Sequence, residues 1–316
     1  MITASRTRSL HDRAQGTIIG AAIGDALGMP TEGISKRTLE GSYGGKVSSF
    51  QRALGGHPCS HLRAGQYTDD TQQLIILAES LAERGGFDLD DFGRRLALWG
   101  RRCRHEPGYD RYAGTSSLDA ADRLTAGISP LKSSGAGVTS CGSVMRVAPV
   151  GIFFKDFGEA LREARFSSVP THDSDVCKDA AGAVAGIINL IARQDLHPFN
   201  AARKALDMIT EPIIREKMKL AMDMAGASPE DAATAIGTGC SASSTASFAI
   251  YCVLSSPDDF EKTVITAANS VPGDTDSIAC IAGAISGAYN GLSSIPPRFL
   301  SVENFDYLRS LSSRLV

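Results

Sequence analysis

Apolar residues along this chain recur mostly at helical spacing, and the long apolar–polar alternations that build half-buried strands are scarce. Between Asp69 and Glu83, Leu74, Ile75, Leu77, Ala78 and Leu81 fall close to one helical face. The segments Leu89 to Cys103, His172 to Arg193, Ser241 to Leu254, Phe260 to Ser270 and Thr275 to Leu292 read the same way. Gly85-Gly86, Pro107-Gly108, Pro198, Pro257 and Pro296-Pro297 punctuate them as breakers. This pattern predicts an all-α fold.

A second periodicity concerns small residues. Gly16, Gly20, Gly24 and Gly28 fall every four residues through GTIIGAAIGDALG, and Gly283 and Gly287 repeat the spacing in IAGAISGAYNG. An interior helical glycine costs about 1 kcal/mol relative to alanine, so several together predict helices packed closely along a smooth strip. No fixed-period repeat spans the chain, and the Gly/Ser-rich stretch Ser133 to Ser143 is too short for a domain linker. The expected organisation is one compact multi-helix domain over residues 1–316.

Composition narrows the function classes. The 316 residues are 43% apolar and 21% charged, with a net charge of -3, so no basic footprint for nucleic acid is present. No apolar run approaches the ~18 residues of a membrane span. The opening MITASRTRSLHDRAQ has basic groups but no apolar leader core. Seven cysteines without a C-x-x-C pair argue against a disulfide framework or a cysteine zinc cluster. A soluble, cytoplasmic protein of a reducing compartment is expected, with no nucleic-acid or membrane partner.

Two short acidic segments carry the chemistry: Tyr67-Thr68-Asp69-Asp70-Thr71 and Gly273-Asp274-Thr275-Asp276-Ser277. Each precedes an apolar helical pattern, where hydroxyls and carboxylates serve as helix caps. Together they offer four carboxylates at helix starts in a small-residue core. Buried side by side without cations, these would repel and take up protons. A bound divalent ion removes the conflict, and all-oxygen ligands suit Mg2+, Mn2+ or Ca2+ rather than zinc. Ile278 and Ala279 exclude an EF-hand loop, whereas two clusters of short acids suit a two-metal site.

Other signals are weaker. His57-Pro58-Cys59-Ser60-His61 offers three soft ligands but no distant partner pair. Cys141 near His172 lacks a nucleophile motif, and Arg101 to His105 reads as a solvated helix end. Arg111 and Tyr112, ahead of the Gly114-Thr115-Ser116 turn, are candidates for a cleft edge. Trp99 reads as core, and Met145 and Arg146 suit either packing or phosphate pairing.

GTIIGAAIGDALGMPTEG, YTDDTQQ, SCGSVMRVAPVG, THDSDVCKDAAGAVAG and VPGDTDSIACIAGAISGAYNG together resemble the five ordered blocks of the ADP-ribosylglycohydrolase family. They run from about residue 14 to residue 292, nearly the whole chain. The resemblance implies an all-α fold with two divalent cations, Mg2+ or Mn2+, and removal of ADP-ribose from modified side chains or small derivatives. By position it implies metal ligation by Thr68, Asp69, Asp70, Asp274, Asp276 and Ser277, and catalytic roles for Glu32 and Asp69. It places the diphosphate at Gly137, Val138 and Thr139, with Cys141 and His172 in further substrate contacts. The two glycines at 135 and 137 agree, since they expose backbone N–H groups to phosphate oxygens. Asp25 lies in the first block and is open to either ligation or a structural role.

The chain departs from the family pattern at several places. Cys141 stands where the family usually has Asn, and Ser277 where it commonly has Thr. Ser270-Val271-Pro272 replaces a small-Gly lead-in, and Gly239 to Ser243 lacks the Trp and acid of a block found in many bacterial members. YTDDTQQ and SCGSVMRVAPVG favour ADP-ribosyl-arginine as substrate, while STASFAIYCVL is similar to the serine-ADP-ribose hydrolase branch. Tyr67, Asp110 and Arg111 are candidates for the groups that flank the cleaved bond. The competing class is a non-catalytic ADP-ribose-binding module, or an immunity protein that blocks a cognate ADP-ribosyltransferase.

Overall fold

The computed structural model describes residues 8–316, so the first seven residues of the opening basic stretch lie outside it. Among the described residues there are fifteen α-helices and no strand, one isolated antiparallel bridge joining Ser140 and Ser241 aside. The elements that frame the site are α1 (Leu10–Gly28), α2 (Asp69–Arg84), α3 (Leu89–His105), α4 (Thr115–Thr125), α5 (Asp175–Gln194), α6 (Ala242–Ser255), α7 (Phe260–Ala268) and α8 (Thr275–Asn290). One large apolar cluster draws on Ile18, Leu77, Phe92, Ile187, Phe248 and Ile281 among others, while Leu118 and Ala121 of α4 pack with Trp99 and Cys103 in a smaller one.

Helix starts follow local capping chemistry. Thr68, Ser174 and Ser241 each accept a hydrogen bond from a backbone N–H of the helix that follows. The cap at Ser174 starts α5 three residues after His172, so His172 stands on the loop leading into α5 rather than within it. Gly291, with φ +70°, closes α8 two residues short of Leu292. Pro198, read as a breaker, is instead the first residue of the helix Pro198–Leu206, where the missing N–H costs nothing.

The glycine strip of α1 packs on α8. A Cβ added at Gly16, Gly20, Gly24 or Gly28 would lie 2.3, 2.4, 1.8 or 2.3 Å from a backbone oxygen of α8, at Gly287, Gly283, Ala279 and Thr275. The reverse holds at Gly283 and Gly287, whose added Cβ atoms would meet the oxygens of Gly20 and Gly16. The two backbones are therefore nearly in contact over four turns. That contact sets the C-terminal end of α1 beside the N-terminal end of α8. Among the described residues no helix is long and apolar enough to cross a membrane.

Candidate functional site

Three chain segments meet where α1 ends and α2 and α8 begin. Asp25, wholly buried, spans the first junction: its Oδ1 accepts Thr68 N–H at 2.9 Å, and its Oδ2 accepts Thr71 N–H at 3.0 Å and Thr71 Oγ1–H at 2.6 Å. Both oxygens are thus engaged in holding the first turn of α2, which is the structural role left open by the sequence. Burial pushes its carboxyl up to about 6 against the lowering effect of those bonds. At the second junction Thr31 Oγ1 lies 3.0 Å from Thr275 Oγ1, and Gly33 N–H donates to Gly273 O at 3.1 Å. Glu32 is thereby carried on a short extended link across the start of α8.

The result is a cleft of about 360 Å3 lined by Glu32, Asp69, Asp70, Asp274, Asp276 and Ser277. Tyr112, Ser140, Cys141, Met145, His172 and Cys240 also line it. Carboxylate oxygens of Glu32, Asp274 and Asp276 lie within 4.8 Å of one another. Asp69 Oδ2 accepts from Gln73 Nε2 at 2.8 Å, and Gln73 in turn accepts from Arg146 Nη1 at 2.6 Å. Thr68 is wholly buried, its Oγ1 accepting Asp70 N–H at 3.3 Å. A more open groove of about 470 Å3 beside α3, with Asp90, Arg94 and Arg101 on its rim, holds no comparable cluster.

The electrostatics are unbalanced. Among the described residues no lysine or arginine ion-pairs with Glu32, Asp69, Asp70, Asp274 or Asp276. Burial, reinforced by neighbouring carboxylates, pushes Glu32, Asp69, Asp70 and Asp276 well above the ordinary carboxylate range. Glu32 Oε2 and Asp70 Oδ2 are buried without a hydrogen-bond partner. Such atoms are rare in native proteins unless an ion or water satisfies them. Glu32, Asp69, Asp70, Asp274, Asp276 and Ser277 offer oxygen donors, which fit hard divalent cations, while Cys141 Sγ lies 3.0 Å from Asp274 Oδ2 beside them.

The remaining sequence candidates divide between the cleft and its supports. His172 lines the cleft, its ring nitrogens 3.1 Å from Ser140 Oγ and 2.7 Å from Thr171 Oγ1. Burial and the Arg146 charge push it down to about 3, so it is a neutral hydrogen-bonding group. Gly137, Val138 and Thr139 are not on the cleft wall but lead directly into Ser140, and Gly137 has φ +68°. Arg146 is fully buried over the Phe92 ring and bonded to Gln73, Ser167 and Thr171, which decides for packing over phosphate pairing. Arg111 is occupied by Glu303 and Tyr67 O, and Tyr67 Oη accepts from Asn304. Trp99 is core, donating to Gln72 Oε1 at 3.0 Å.

His57, Cys59 and His61 do not converge: His57 contacts Glu32 O, His61 contacts Pro58 O, and Cys59 is buried beside Met29, Ala53 and Leu62. Sequence reasoning did not place Cys240 and Ser140 at the site. No local signal marks them, because the bridge that brings Ser140 to Ser241 joins residues a hundred positions apart.

An all-helical protein that gathers unpaired carboxylates at helix starts around one cleft belongs to the class of candidate divalent-cation-binding proteins. Comparison narrows the class: residues 6–316 match the family model described as ADP-ribosylglycohydrolase, and the chain belongs to that family. An uncharacterized protein of Archaeoglobus fulgidus is 33% identical over 97% of this chain and 96% of its own. The ADP-ribosylhydrolase ARH3 of Danio rerio is 27% identical over 96% and 90%. The ADP-ribosylarginine hydrolase Tri1 of Pseudomonas putida is 27% identical over 92% of this chain and 73% of its own. A solved structure titled ADP-ribosylglycohydrolase-related protein complex superposes with a TM-score of 0.76 at 25% identity, covering 97% of this chain and 98% of that one. The family is one of enzymes that hydrolyse ADP-ribose conjugates.

Proposed function

We propose that this protein removes ADP-ribose from modified protein side chains, with ADP-ribosyl-arginine as the preferred linkage, at a centre of two Mg2+ or Mn2+ ions. The observation that carries the reading is the cluster of buried carboxylates with two orphaned oxygens and no positive partner. Thr68, Asp69, Asp70, Asp274, Asp276 and Ser277 are the residues that would hold the ions. When bound, the ions supply hard positive charge that attracts the ribose hydroxyls and raises the acidity of a water.

Glu32 is the group we assign to proton transfer. Its Oε2 is buried, unbonded and on the cleft lining, so once bound cations have displaced its proton it is able to accept the proton of an attacking water as positive charge develops on the sugar ring. Asp69 is the second candidate, and the Arg146–Gln73–Asp69 chain holds its carboxyl in one orientation. Elsewhere on the cleft lining His172 and Ser140 offer hydrogen bonds to the ligand's hydroxyls, with Gly137, Val138, Thr139 and Cys141 on the approach for the diphosphate. Binding energy from these remote parts is then converted into orientation of the reacting carbon.

The arginine preference draws on the Tri1 relative, whose name states that linkage. Asp110 adds support: its Oδ1 accepts from Ala113 N–H beside the cleft residues Tyr112 and Ala113, and its charge is of the sign that suits a guanidinium. The experiment is release of ADP-ribose from arginine-modified and serine-modified proteins, side by side, with and without Mg2+. Faster release from arginine supports the reading; faster release from serine moves the linkage but not the reaction. No release from either, with ADP-ribose still bound, would make the protein a binding module.

A further inference from the structure

We infer that Cys141, Cys240 and Asp274 form a second cation site, one for a thiophilic divalent ion such as Zn2+ or Cd2+, adjoining the carboxylate cluster. The three donor atoms all lie within 4.8 Å of one another. The Cys141 and Cys240 sulfurs are 3.5 Å apart, and Cys141 Sγ is 3.0 Å from Asp274 Oδ2. A tetrahedral zinc ion with Zn–S bonds of about 2.3 Å holds two thiolates about 3.7 Å apart, so the observed pair needs only a small adjustment. Neither cysteine is in a disulfide.

The surroundings hold this arrangement. Cys141 N–H donates to Cys240 O at 3.1 Å and Ala242 N–H to Thr139 O at 2.8 Å, locking the two cysteines opposite each other across the short antiparallel bridge. Thr245 Oγ1 donates to Asp274 Oδ2 at 3.1 Å and Asp274 N–H to Thr238 O at 2.9 Å, so the carboxylate is oriented by groups outside the donor set. Outer contacts of this kind fix ligand direction in metal sites. Cys141 is buried while Cys240 is exposed on the cleft wall, which gives an entering ion a path from solvent. Three protein ligands leave one position for water, the arrangement of an open zinc site. On binding, each thiol releases its proton to solvent as its metal–sulfur bond forms, and no electron is transferred.

Asp274 belongs to both donor sets, since its oxygens also converge with those of Glu32 and Asp276. An ion bound by the two sulfurs therefore draws on the carboxylate that the harder cations need. Inhibition by traces of Zn2+ follows from that sharing, and this consequence rests on the function proposed above. The thiophilic site itself does not.

The test is titration of the full-length protein with Cd2+ in a phosphine reductant, read by the ultraviolet absorption of thiolate-to-metal charge transfer. One equivalent per chain is expected, and because Asp274 is shared, excess Mg2+ should raise the Cd2+ concentration needed without abolishing the band. Cys240→Ser and Cys141→Ser should each weaken Cd2+ binding by at least roughly a hundredfold, the upper end of what even outer contacts cost, with unchanged helical circular dichroism. Cys103→Ser, on α3, should leave the titration unaltered. The inference is overturned if no band appears or if the band survives in Cys240→Ser. It is also overturned if thiol counting finds two thiols missing, because a Cys141–Cys240 disulfide would then be the stable state. The readout needs no turnover: a missing band leaves the hydrolase reading intact, and a band without ADP-ribose release leaves this site intact.

Discussion

Removing divalent cations should make the folded protein lose stability as pH rises through neutrality, opposite to the usual behaviour of paired carboxylates. Glu32, Asp69, Asp70 and Asp276 are held well above the ordinary carboxylate range by burial and mutual repulsion. Between their unfolded and folded values the native state keeps protons that the unfolded chain releases, so stability is present at low pH and declines on the way up. Each proton so retained corresponds to about 1.4 kcal/mol per pH unit. Two retained protons give a fall of about 3 kcal/mol from pH ~6.5 to ~7.5, or about 6 °C in midpoint for a chain of this length. The window is chosen because His172, pushed down to about 3, contributes nothing above the ordinary histidine value. Saturating Mg2+ should replace the protons and flatten the slope while raising the midpoint by mass action. Trp99, the single tryptophan, lies buried against Gln72 on α2, so its fluorescence during a thermal ramp reports the fold next to the site. Asp276→Asn removes one repelling charge: it should raise the metal-free midpoint at pH ~7.5 and abolish most of the Mg2+ shift, with pair repulsion of about 3 kcal/mol at an effective dielectric of ~20 setting the upper scale. A metal-free midpoint that is flat or rises across the window, or an undiminished Mg2+ shift in Asp276→Asn, would refute the argument.

Further outcomes are expected. Glu32→Gln should lower turnover roughly 10²–10⁴-fold while calorimetric binding of ADP-ribose changes only a few-fold; normal turnover with lost binding would make Glu32 a ground-state ligand. Gly24→Ala places a methyl group 1.8 Å from Ala279 O, so urea unfolding should show a loss of about 3 kcal/mol or more, far outweighing the ~1 kcal/mol gain in helix propensity. Asp25→Ala strips acceptors from Thr68 N–H, Thr71 N–H and Thr71 Oγ1–H and should cost ~3 kcal/mol or more by leaving buried donors unpaired; a neutral result in the same assay would mean water replaces the carboxylate. Below about pH 6.5 the unfolded chain binds a proton that buried His172 refuses, so stability falls toward acid by ~1.4 kcal/mol per unit from this residue. That contribution should appear in thermal ramps as a midpoint difference between His172→Gln and the parent protein that grows as pH falls below ~6.5.

Much of the molecule was legible locally. The helices at Asp69, Leu89, Ser241, Phe260 and Thr275 follow from a 3.6-residue apolar period, the first four also from side-chain caps that act within three residues of themselves. The same locality explains the two acidic segments, because Thr68-Asp69-Asp70 and Asp274-Thr275-Asp276 sit where a helix dipole favours negative charge whatever the rest of the chain does. The glycine period announced close packing for the same reason, since each glycine lies one turn from the next on one face. What no window of sequence contains is which surfaces meet. The seam of α1 on α8 carries Glu32 to Asp274 and Asp276, more than two hundred residues away, and only the fit of two nearly touching backbones determines that pairing. Tertiary packing likewise made Asp25 a tether for α2 and assigned Arg146 to Gln73 rather than to a phosphate. It also set Cys141 against Cys240 across a single bridge. Caps and periods are properties of a few consecutive residues, whereas a site wall depends on the packing of helices distant in the chain.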